Sequence, residues 1–462
     1  MNYFLAIIGG GPAGYVAAEK AAKAGKSVVL FEQNALGGTC LNVGCIPTKT
    51  LLYSAKQYYN ATHADKYGVK VENVTFDYAK MVQRKQKVVR KLVAGIRQKL
   101  TDVTVVSGKA SVSAVEGGYA IVCNGEQYEA ENLLICTGSH NFVPPIPGLE
   151  NNKAVWDSTM ALEAKELPAS VVIVGGGVIG LEFATLYHEL GVAVTVVEAM
   201  PAILPNLDQE VVAVLRDKYE KAGIRILTET KVLELQGNKV IAEHIADGAM
   251  ERIELEAERI LVSVGRLPNL EGLEGLAGLE FDRKGIRVDD FMKTNLPGVY
   301  AAGDVTGKIM LAHVASRQAE VAVGRMLREL PLQRIAYNAI PSVVYTNPEI
   351  AAVGLNEREV SQFYQEMEGK SADEIADKYI VKKLPMTFSG RFVAENEGET
   401  GLCKMIIDAK NHTVLGVHMI GNPCSEFVSA ASFAVRMGYT VAEFEQVVFP
   451  HPTVSEILKE VL

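Results

Sequence analysis

Two stretches decide the fold: LAIIGGGPAGYVAAEKAAKAGKSVVLFE, from Leu5 to Glu32, and VVIVGGGVIGLEFATLYHELGVAVTVVE, from Val171 to Glu198. They superimpose at a constant offset of 166 residues, which lays Gly9 on Gly175, Gly11 on Gly177, Gly14 on Gly180, Gly25 on Gly191 and Glu32 on Glu198. Each reads as an apolar strand, a glycine turn, a helix, a glycine stop and a second apolar strand, which is a βαβ unit. In Gly9-x-Gly11-x-x-Gly14 the first glycine permits the tight turn, the second lets the backbone approach a pyrophosphate, and the third lets helix and strand pack closely. The helix start behind them offers free N–H groups and a positive dipole end to phosphates. Glu32 and Glu198 each stand 18 residues past the last glycine, where a carboxylate accepts hydrogen bonds from ribose hydroxyls and repels a 2′-phosphate. One such motif is a weak signal. Two, with matching acids, imply two bound dinucleotides, the second of them NAD(H) rather than NADP(H).

The rest of the chain fits around this frame. LLICTGS (Leu133 to Ser139) and ILVSVGR (Ile260 to Arg266) follow the two units as apolar strands running into glycine, and extend the two sheets. PPIPG (Pro144 to Gly148) is a stiff crossing segment between them. TNLPGVYAAGDV (Thr294 to Val305) ends a short strand on Gly303-Asp304, where an acid faces a ribose or pyrophosphate. From about Ile340 the pattern changes to alternating strands broken by turn residues, the mark of a terminal α+β domain. With 462 residues the chain has room for several cores.

Its formal charge of −9 has the wrong sign for attraction to nucleic acid or anionic membranes. There is no apolar run long enough to span a bilayer and no secretory signal, so the expected protein starts at or near Met1 and stays in the cytoplasm. The basic run Arg84 to Lys99 carries Val88, Val89, Leu92, Val93 and Ile96 at the spacing of one core-facing helix stripe. No cysteine or histidine group shows metal-ligand spacing, and Cys123, Cys136, Cys403 and Cys424 read as buried free thiols.

The remaining two thiols lie in GGTCLNVGCIPTK (Gly37 to Lys49), with Cys40 and Cys45 five positions apart. On a regular helix such positions point about 140° apart and lie about 7.5 Å along the axis, too far for a bridge, so a joined pair requires a bend, which Gly44 permits. If bridged, the loop is short and reducible. Pro47 reads as an early helix residue with Thr48 to Asn60 following, and the positive end of that helix would stabilise a thiolate at Cys45. Near the other terminus FPHPTVSEIL sets His451 and Glu456 five apart, a carboxylate that could hold one imidazole nitrogen and raise the basicity of the other.

Taken in order and spacing, GGGPAG, GGTCLNVGCIPTK, GGGVIGLE, YAAGDV and HPTVSE resemble the pyridine nucleotide-disulfide oxidoreductase family over essentially the whole chain, most closely its members that oxidise dihydrolipoyl groups. The resemblance implies an α/β fold with two Rossmann-like dinucleotide-binding domains, for FAD and NAD, and a C-terminal α+β dimerisation domain. The implied divisions are an FAD domain over 1–147, an NAD domain over 148–270, a central domain over 271–338 that completes the FAD site, and an interface domain over 339–462. By the same resemblance FAD is held at Gly9, Gly11, Pro12, Ala13, Gly14, Glu32, Gly38, Thr39, Lys49, Gly108, Ala110, Thr137, Gly138, Ser139, Asp304, Leu311 and Ala312. NAD is held at Gly175, Gly177, Val178, Ile179, Gly180, Glu182, Glu198, Val232 and Gly265.

The implied catalytic group is Cys40, Cys45, His451 and Glu456: Cys40 exchanges with substrate, Cys45 lies nearer the flavin, and His451 of a second subunit is the base, held by Glu456. Lys49 is expected to pair with Glu182. The implied function is NAD+-linked oxidation of protein-bound dihydrolipoamide by a homodimer. Its implied partners are the lipoyl domain and E2 core of a 2-oxoacid dehydrogenase complex, or the H protein of glycine cleavage, with no metal, nucleic acid or membrane. The runner-up is another NADH-dependent disulfide reductase, and a non-catalytic redox sensor comes last. Three departures from the family pattern stand out: Phe449 in place of a second histidine, Val314 and Gln318 in place of Lys and Glu, and a longer, more helical stretch over 356–380.

Overall fold

Strand β1 (Asn2–Ile8) is buried continuously from Leu5 to Ile8, as a strand covered on both faces must be. It lies inside its sheet, in a computed structural model that describes residues 2–246, 248–331 and 333–462; Met1, the expected start, lies outside the described residues. Helix α1 (Pro12–Lys23) follows, with Pro12 in its first turn where a missing N–H costs nothing, and returns the chain to β2 (Val28–Glu32), parallel to β1. After α2 (Gly38–Val43), α3 (Cys45–Thr62) and α4 (Tyr78–Lys99), the strands β3 (Thr104–Ser107), β4 (Ala110–Val115), β5 (Gly118–Cys123) and β6 (Glu126–Ile135) complete the order β3-β2-β1-β6-β5-β4. The strand Val299–Ala301, from much later in the chain, adds to β6 in parallel.

The second unit repeats the plan. After α5 (Ser158–Glu163), the strand Ser170–Val174, helix α6 (Val178–Glu189) and strand Ala193–Val197 form its βαβ core. Helix α7 (Gln209–Lys221) leads on to Arg225–Leu227, and Arg259–Val262 and Val155–Trp156 close a five-stranded parallel sheet. A three-stranded antiparallel sheet, Thr230–Gln236, Lys239–Ala246 and Ala249–Glu256, lies before its last central strand. The chain enters and leaves this unit through two short strands, Ser139–Asn141 and Arg266–Pro268, which pair antiparallel. The segment after it returns to the first unit, with α8 (Ala312–Met326) sharing a core with α1 through Ala315, Ala319 and Ala322. The C-terminal part is a five-stranded antiparallel sheet backed by the helix Cys424–Met437, whose core includes Val417, Met419, Val428 and Ala431. The 356–380 stretch forms helix α9 (Glu357–Glu368), started by a reciprocal capping box between Asn356 and Glu359.

One core cluster joins all three parts. It holds Leu51, Leu52 and Ala55 of α3, Tyr78 and Val82 of α4, Leu181, Phe183 and Tyr187 of α6, and Val344 and Ile420 of the C-terminal sheet. This packing fixes α3 rigidly against α6. Helix α4 departs from the expected stripe: Tyr78, Val82, Lys85 and Ile96 are its buried residues, while Leu92 is exposed. Lys85 belongs to the buried line because its ammonium reaches the Leu162 carbonyl at the end of α5. Lys404 is likewise buried at 1% exposure, where Asp208 (2.8 Å), Glu210 (2.6 Å) and Glu357 (2.5 Å) surround its ammonium. It ties the start of α7 and the start of α9 to the C-terminal sheet.

Buried Glu189, two turns beyond Glu182 on α6, accepts a hydrogen bond from the Asn347 side-chain amide (2.7 Å), and desolvation pushes its carboxyl up to about 7. The folded state therefore keeps a proton that the unfolded chain releases near 4.5, and stability falls as pH rises through this window. Glu189→Gln preserves the acceptor and removes the charge. Its melting temperature should exceed the parent's at pH 8 by an amount corresponding to about 2–3 kcal/mol, with the gap closing toward pH 4.5; calorimetry across pH measures it, and an unchanged gap would refute the assignment.

Candidate active site

The redox segment is built by a break between two helices. Gly37 and Gly38 take left-handed φ values of 98° and 59° to start α2, and Gly44 (φ −144°, ψ −110°) interrupts the helical path before α3. A Cβ on Gly44 would stand 2.9 Å from the Thr39 carbonyl oxygen, so only glycine lets the two helices meet this closely. The bend brings the Cα atoms of Cys40 and Cys45 to 4.6 Å, and the two residues form a disulfide. Asn42 pins the loop, its side-chain amide donating to the carbonyls of Leu36 (3.1 Å) and Gly38 (3.0 Å). Cys45 is the first residue of the 18-residue α3, two positions earlier than Pro47 suggests. Pro47 is tolerated as its third residue because the first N–H groups of a helix have no partner to lose.

One turn further along α3, the Lys49 ammonium lies 2.6 and 2.8 Å from the two carboxylate oxygens of Glu182 on α6. Glu182 is 4% exposed, and its Oε1 also accepts the Tyr345 N–H at 3.1 Å. The other cysteines are of a different kind. Cys123, Cys136, Cys403 and Cys424 are buried and free, and desolvation raises every one of these thiols above its ordinary range.

Both glycine turns open at the carboxyl ends of their parallel strands, and Cβ geometry separates what the chain needs from what a ligand needs. A Cβ on Gly9 would fall 2.2 Å from the Cys136 carbonyl oxygen, and one on Gly14 1.8 Å from the Gly9 oxygen. On Gly180 it would fall 2.1 Å from the Gly175 oxygen. These glycines serve the packing of the protein itself. Gly11 and Gly177 differ: their φ values are −70° and −80°, and an added Cβ would meet nothing nearer than 3.8 Å at Gly11 and nothing within 4 Å at Gly177. The open space in front of them, at the starts of α1 and α6, is what a pyrophosphate requires. Gly177→Ala should therefore leave the melting temperature unchanged while raising the KM for NADH roughly 5- to 150-fold, the effect of about 1–3 kcal/mol of overpacking against the nucleotide.

The acids behave alike in the two repeats. Glu32 Oε2 accepts the Gly10 N–H and Oε1 the Asn34 N–H, both at 2.7 Å; Glu198 Oε2 accepts the Gly176 N–H and Oε1 the Met200 N–H, both at 2.7 Å. Gly108, at φ 151°, donates its N–H to the Glu32 carbonyl and brings the Gly108–Ala110 backbone to the same edge. Thr230 donates its N–H to the Glu198 carbonyl at the start of the strand Thr230–Gln236 that carries Val232, and Gly265 (φ 121°) follows the strand Arg259–Val262. Ser139 donates to Asp304 Oδ2 (2.6 Å) and accepts from Arg266 Nε (2.8 Å), which joins Thr137–Ser139 to Asp304. Leu311 and Ala312 form the start of α8. Gln318, fully buried, accepts the Gly303 N–H at 2.6 Å and so braces the Asp304 loop, while Val314 is buried core.

At the far terminus His451 Nδ1 lies 2.8 Å from Glu456 Oε1, and Glu456 Oε2 accepts the Thr453 N–H at 2.8 Å. These bonds, led by the one from Thr453, hold the Glu456 carboxyl below its usual range. Among the described residues His451 pairs only with Glu456, and its side chain is 80% exposed in a single chain. Of the site residues named from the sequence, the structure joins Cys40 to Cys45, Lys49 to Glu182, His451 to Glu456 and Ser139 to Asp304; it does not bring His451 to the cysteines of its own chain. Nothing local in the sequence marks Tyr345.

Residues 3–319 match the family model for pyridine nucleotide-disulphide oxidoreductases, and residues 340–462 match the dimerisation domain of the same family. The chain belongs to the pyridine nucleotide-disulphide oxidoreductase family. Within it, the sequence is 39% identical to the dihydrolipoyl dehydrogenase of Thermus scotoductus across 99% of this chain and 96% of that protein. It is 35% identical to that of Bacillus subtilis, across 99% and 97%. Among solved structures of this oxidoreductase family, the HOCl-induced flavoprotein disulfide reductase RclA of Escherichia coli superimposes with a TM-score of 0.83 at 28% identity, covering 99% of each chain. LpdA of Mycobacterium tuberculosis gives 0.86 at 25%, covering 99% of this chain and 98% of that one. FAD and NAD are the cofactors of this pyridine nucleotide-disulphide oxidoreductase, and its dimerisation domain makes it a homodimer. That domain leaves Phe433, Met437 and Val448 exposed on a single chain. Among the described residues no helix is long and apolar enough to cross a membrane.

Proposed function

We propose that this homodimer oxidises protein-bound dihydrolipoamide to lipoamide and reduces NAD+. The observation that carries the reading is the Cys40–Cys45 disulfide at the start of α3, one turn from the Lys49–Glu182 pair, in a chain whose relatives named dihydrolipoyl dehydrogenase match it over nearly its full length. A substrate thiolate attacks Cys40 Sγ; the Cys40–Cys45 bond breaks, and Cys45 leaves as a thiolate stabilised by the first N–H groups of α3. The second substrate thiol gives its proton to His451 Nε2 of the partner subunit and displaces Cys40, which closes the lipoamide ring and leaves the two electrons in the cysteine pair. Glu456 holds the Nδ1 side of that imidazole and so fixes the direction of its Nε2. Held at the Gly9–Gly14 turn and beside Lys49, FAD would supply the two-electron chemistry that links the reduced cysteine pair to NAD+.

FAD is assigned to the Gly9–Gly14 turn, Glu32, Gly38, Thr39, Lys49, Gly108, Ala110, Thr137–Ser139, Asp304, Leu311 and Ala312. NAD is assigned to the Gly175–Gly180 turn, Glu182, Glu198, Val232 and Gly265. The FAD, NAD, central and interface divisions named from the sequence are retained. The high exposure of His451, beside exposed Val448 on the dimerisation domain, supports its use by the second subunit. The lipoyl domain of a 2-oxoacid dehydrogenase complex with its E2 core, or the H protein of glycine cleavage, is the matching partner, and the cytoplasm the matching location.

The likeness to RclA favours a second reading, reduction of another disulfide by NADH. Steady-state rates decide between them: the preferred reading expects dihydrolipoamide to reduce NAD+ faster than NADH reduces glutathione disulfide or other small disulfides, and the reverse order would sink it.

A further inference from the structure

The Lys49–Glu182 pair has a third member from the C-terminal domain. The Tyr345 ring lies with its centroid 4.7 Å from the Lys49 ammonium, and the Tyr345 backbone N–H donates to Glu182 Oε1 at 3.1 Å. One residue thus touches both partners of the ion pair. The contacts come from separate parts of the molecule: Lys49 from α3, Glu182 from α6, and Tyr345 from just beyond the strand Ser342–Val344. Two residues on, Asn347 donates to Glu189 on the same α6, so the segment 345–347 is clasped to α6 at two places, two turns apart.

We propose that Tyr345 is a positioning residue whose ring holds the Lys49 ammonium in place against the flavin, and so sets the rate at which the flavin and the nicotinamide exchange hydride. This rests on the assignment of Lys49 to the flavin given above. Glu182 takes the ammonium from one side through both carboxylate oxygens, and a lysine held only there keeps freedom to swing on its four-carbon stem. The electron-rich face of the ring attracts the ammonium from a second direction, and a planar side chain with few rotors does this at small entropic cost. Burial, followed by the neighbouring carboxylates of Glu349, Glu182 and Glu426, raises the phenol above its ordinary range, so the ring stays neutral at working pH. The backbone N–H to Glu182 survives any side-chain substitution at 345, which makes the contribution of the ring separable from that of the clasp.

The test uses the FAD-loaded dimer without any dithiol, and reads the flavin absorption maximum, the flavin midpoint potential and the single-turnover rate of flavin reduction by NADH. Pentafluorophenylalanine at 345 keeps the shape of the ring and reverses its quadrupole, so folding is not at issue. It should shift the potential and slow reduction about three- to thirty-fold, whereas Tyr345→Phe should stay within about twofold of the parent. In a Lys49→Met background Tyr345→Leu should change neither quantity further. A fluorinated variant indistinguishable from the parent, or a Tyr345→Leu effect that persists without the lysine, overturns the proposal. Because dihydrolipoamide takes no part, a parent enzyme that fails to oxidise it would overturn the substrate reading and leave this result standing.

Discussion

Cys45→Ser should reduce dihydrolipoamide oxidation to background while FAD stays bound. A hydroxyl cannot form or release the bridge to Cys40, so the electron pair has no route from substrate to flavin. The segment keeps its shape without the thiol, because its folding rests on Gly44 at the helix junction, on the Asn42 amide bonded to Leu36 and Gly38, and on the Thr48 hydroxyl donating to the Gly44 carbonyl at 2.6 Å. Cys403→Ser is the control: that thiol is buried and pushed up to about 12, and its loss should leave turnover near the parent's. The flavin-to-protein absorbance ratio, taken with the NAD+ assay, checks both. A Cys45→Ser protein that sheds its FAD would show that the pair is structural.

His451→Gln should lower kcat for dihydrolipoamide by about 10²–10⁴, the range lost with a general base. Glu456→Gln should cost less, since the imidazole remains and loses only the carboxylate that holds its Nδ1 side. Glu456, held below the usual carboxylate range, is an anion throughout the assay window and serves to orient the imidazole through Nδ1. Both variants should pass electrons from NADH to an artificial acceptor at the parent rate, since that route needs neither substrate thiol nor base. A loss there as large as the loss with dihydrolipoamide would move His451 out of the thiol half-reaction.

The two dinucleotide units were legible because glycine chemistry is local: a turn, a close approach and a helix start each need a particular residue within a few positions. The cysteine pair, the His451–Glu456 contact and the strand at Val299–Ala301 were legible for the same reason. Lys49 and Glu182 meet across 133 positions, and only the likeness to a known family connected them in advance. Lys404 carried no signal at all, since in GLCKMIID one lysine among apolar residues looks the same whether it faces water or, as here, three carboxylates. The basic helix misled at Leu92 because its hydrophobic spacing says which residues share a face, and only tertiary contact says how far along its length that face is covered. Tyr345 and Glu189 belong to the same class, with partners supplied by α3, α6 and the C-terminal domain together.

Glu198 spends one carboxylate oxygen on the Gly176 N–H and the other on the Met200 N–H, so the group that would greet the ribose also shapes the loop around it. Coenzyme preference and loop architecture are in that sense inherited together. An engineer who exchanges Glu198 for a neutral or basic residue to admit a 2′-phosphorylated coenzyme would untie the phosphate turn in the same stroke. A successful exchange must also supply a replacement acceptor for those two amides, and the same constraint binds Glu32 at the Gly9–Gly14 turn. The route from one nicotinamide coenzyme to the other therefore passes through several coordinated substitutions rather than one.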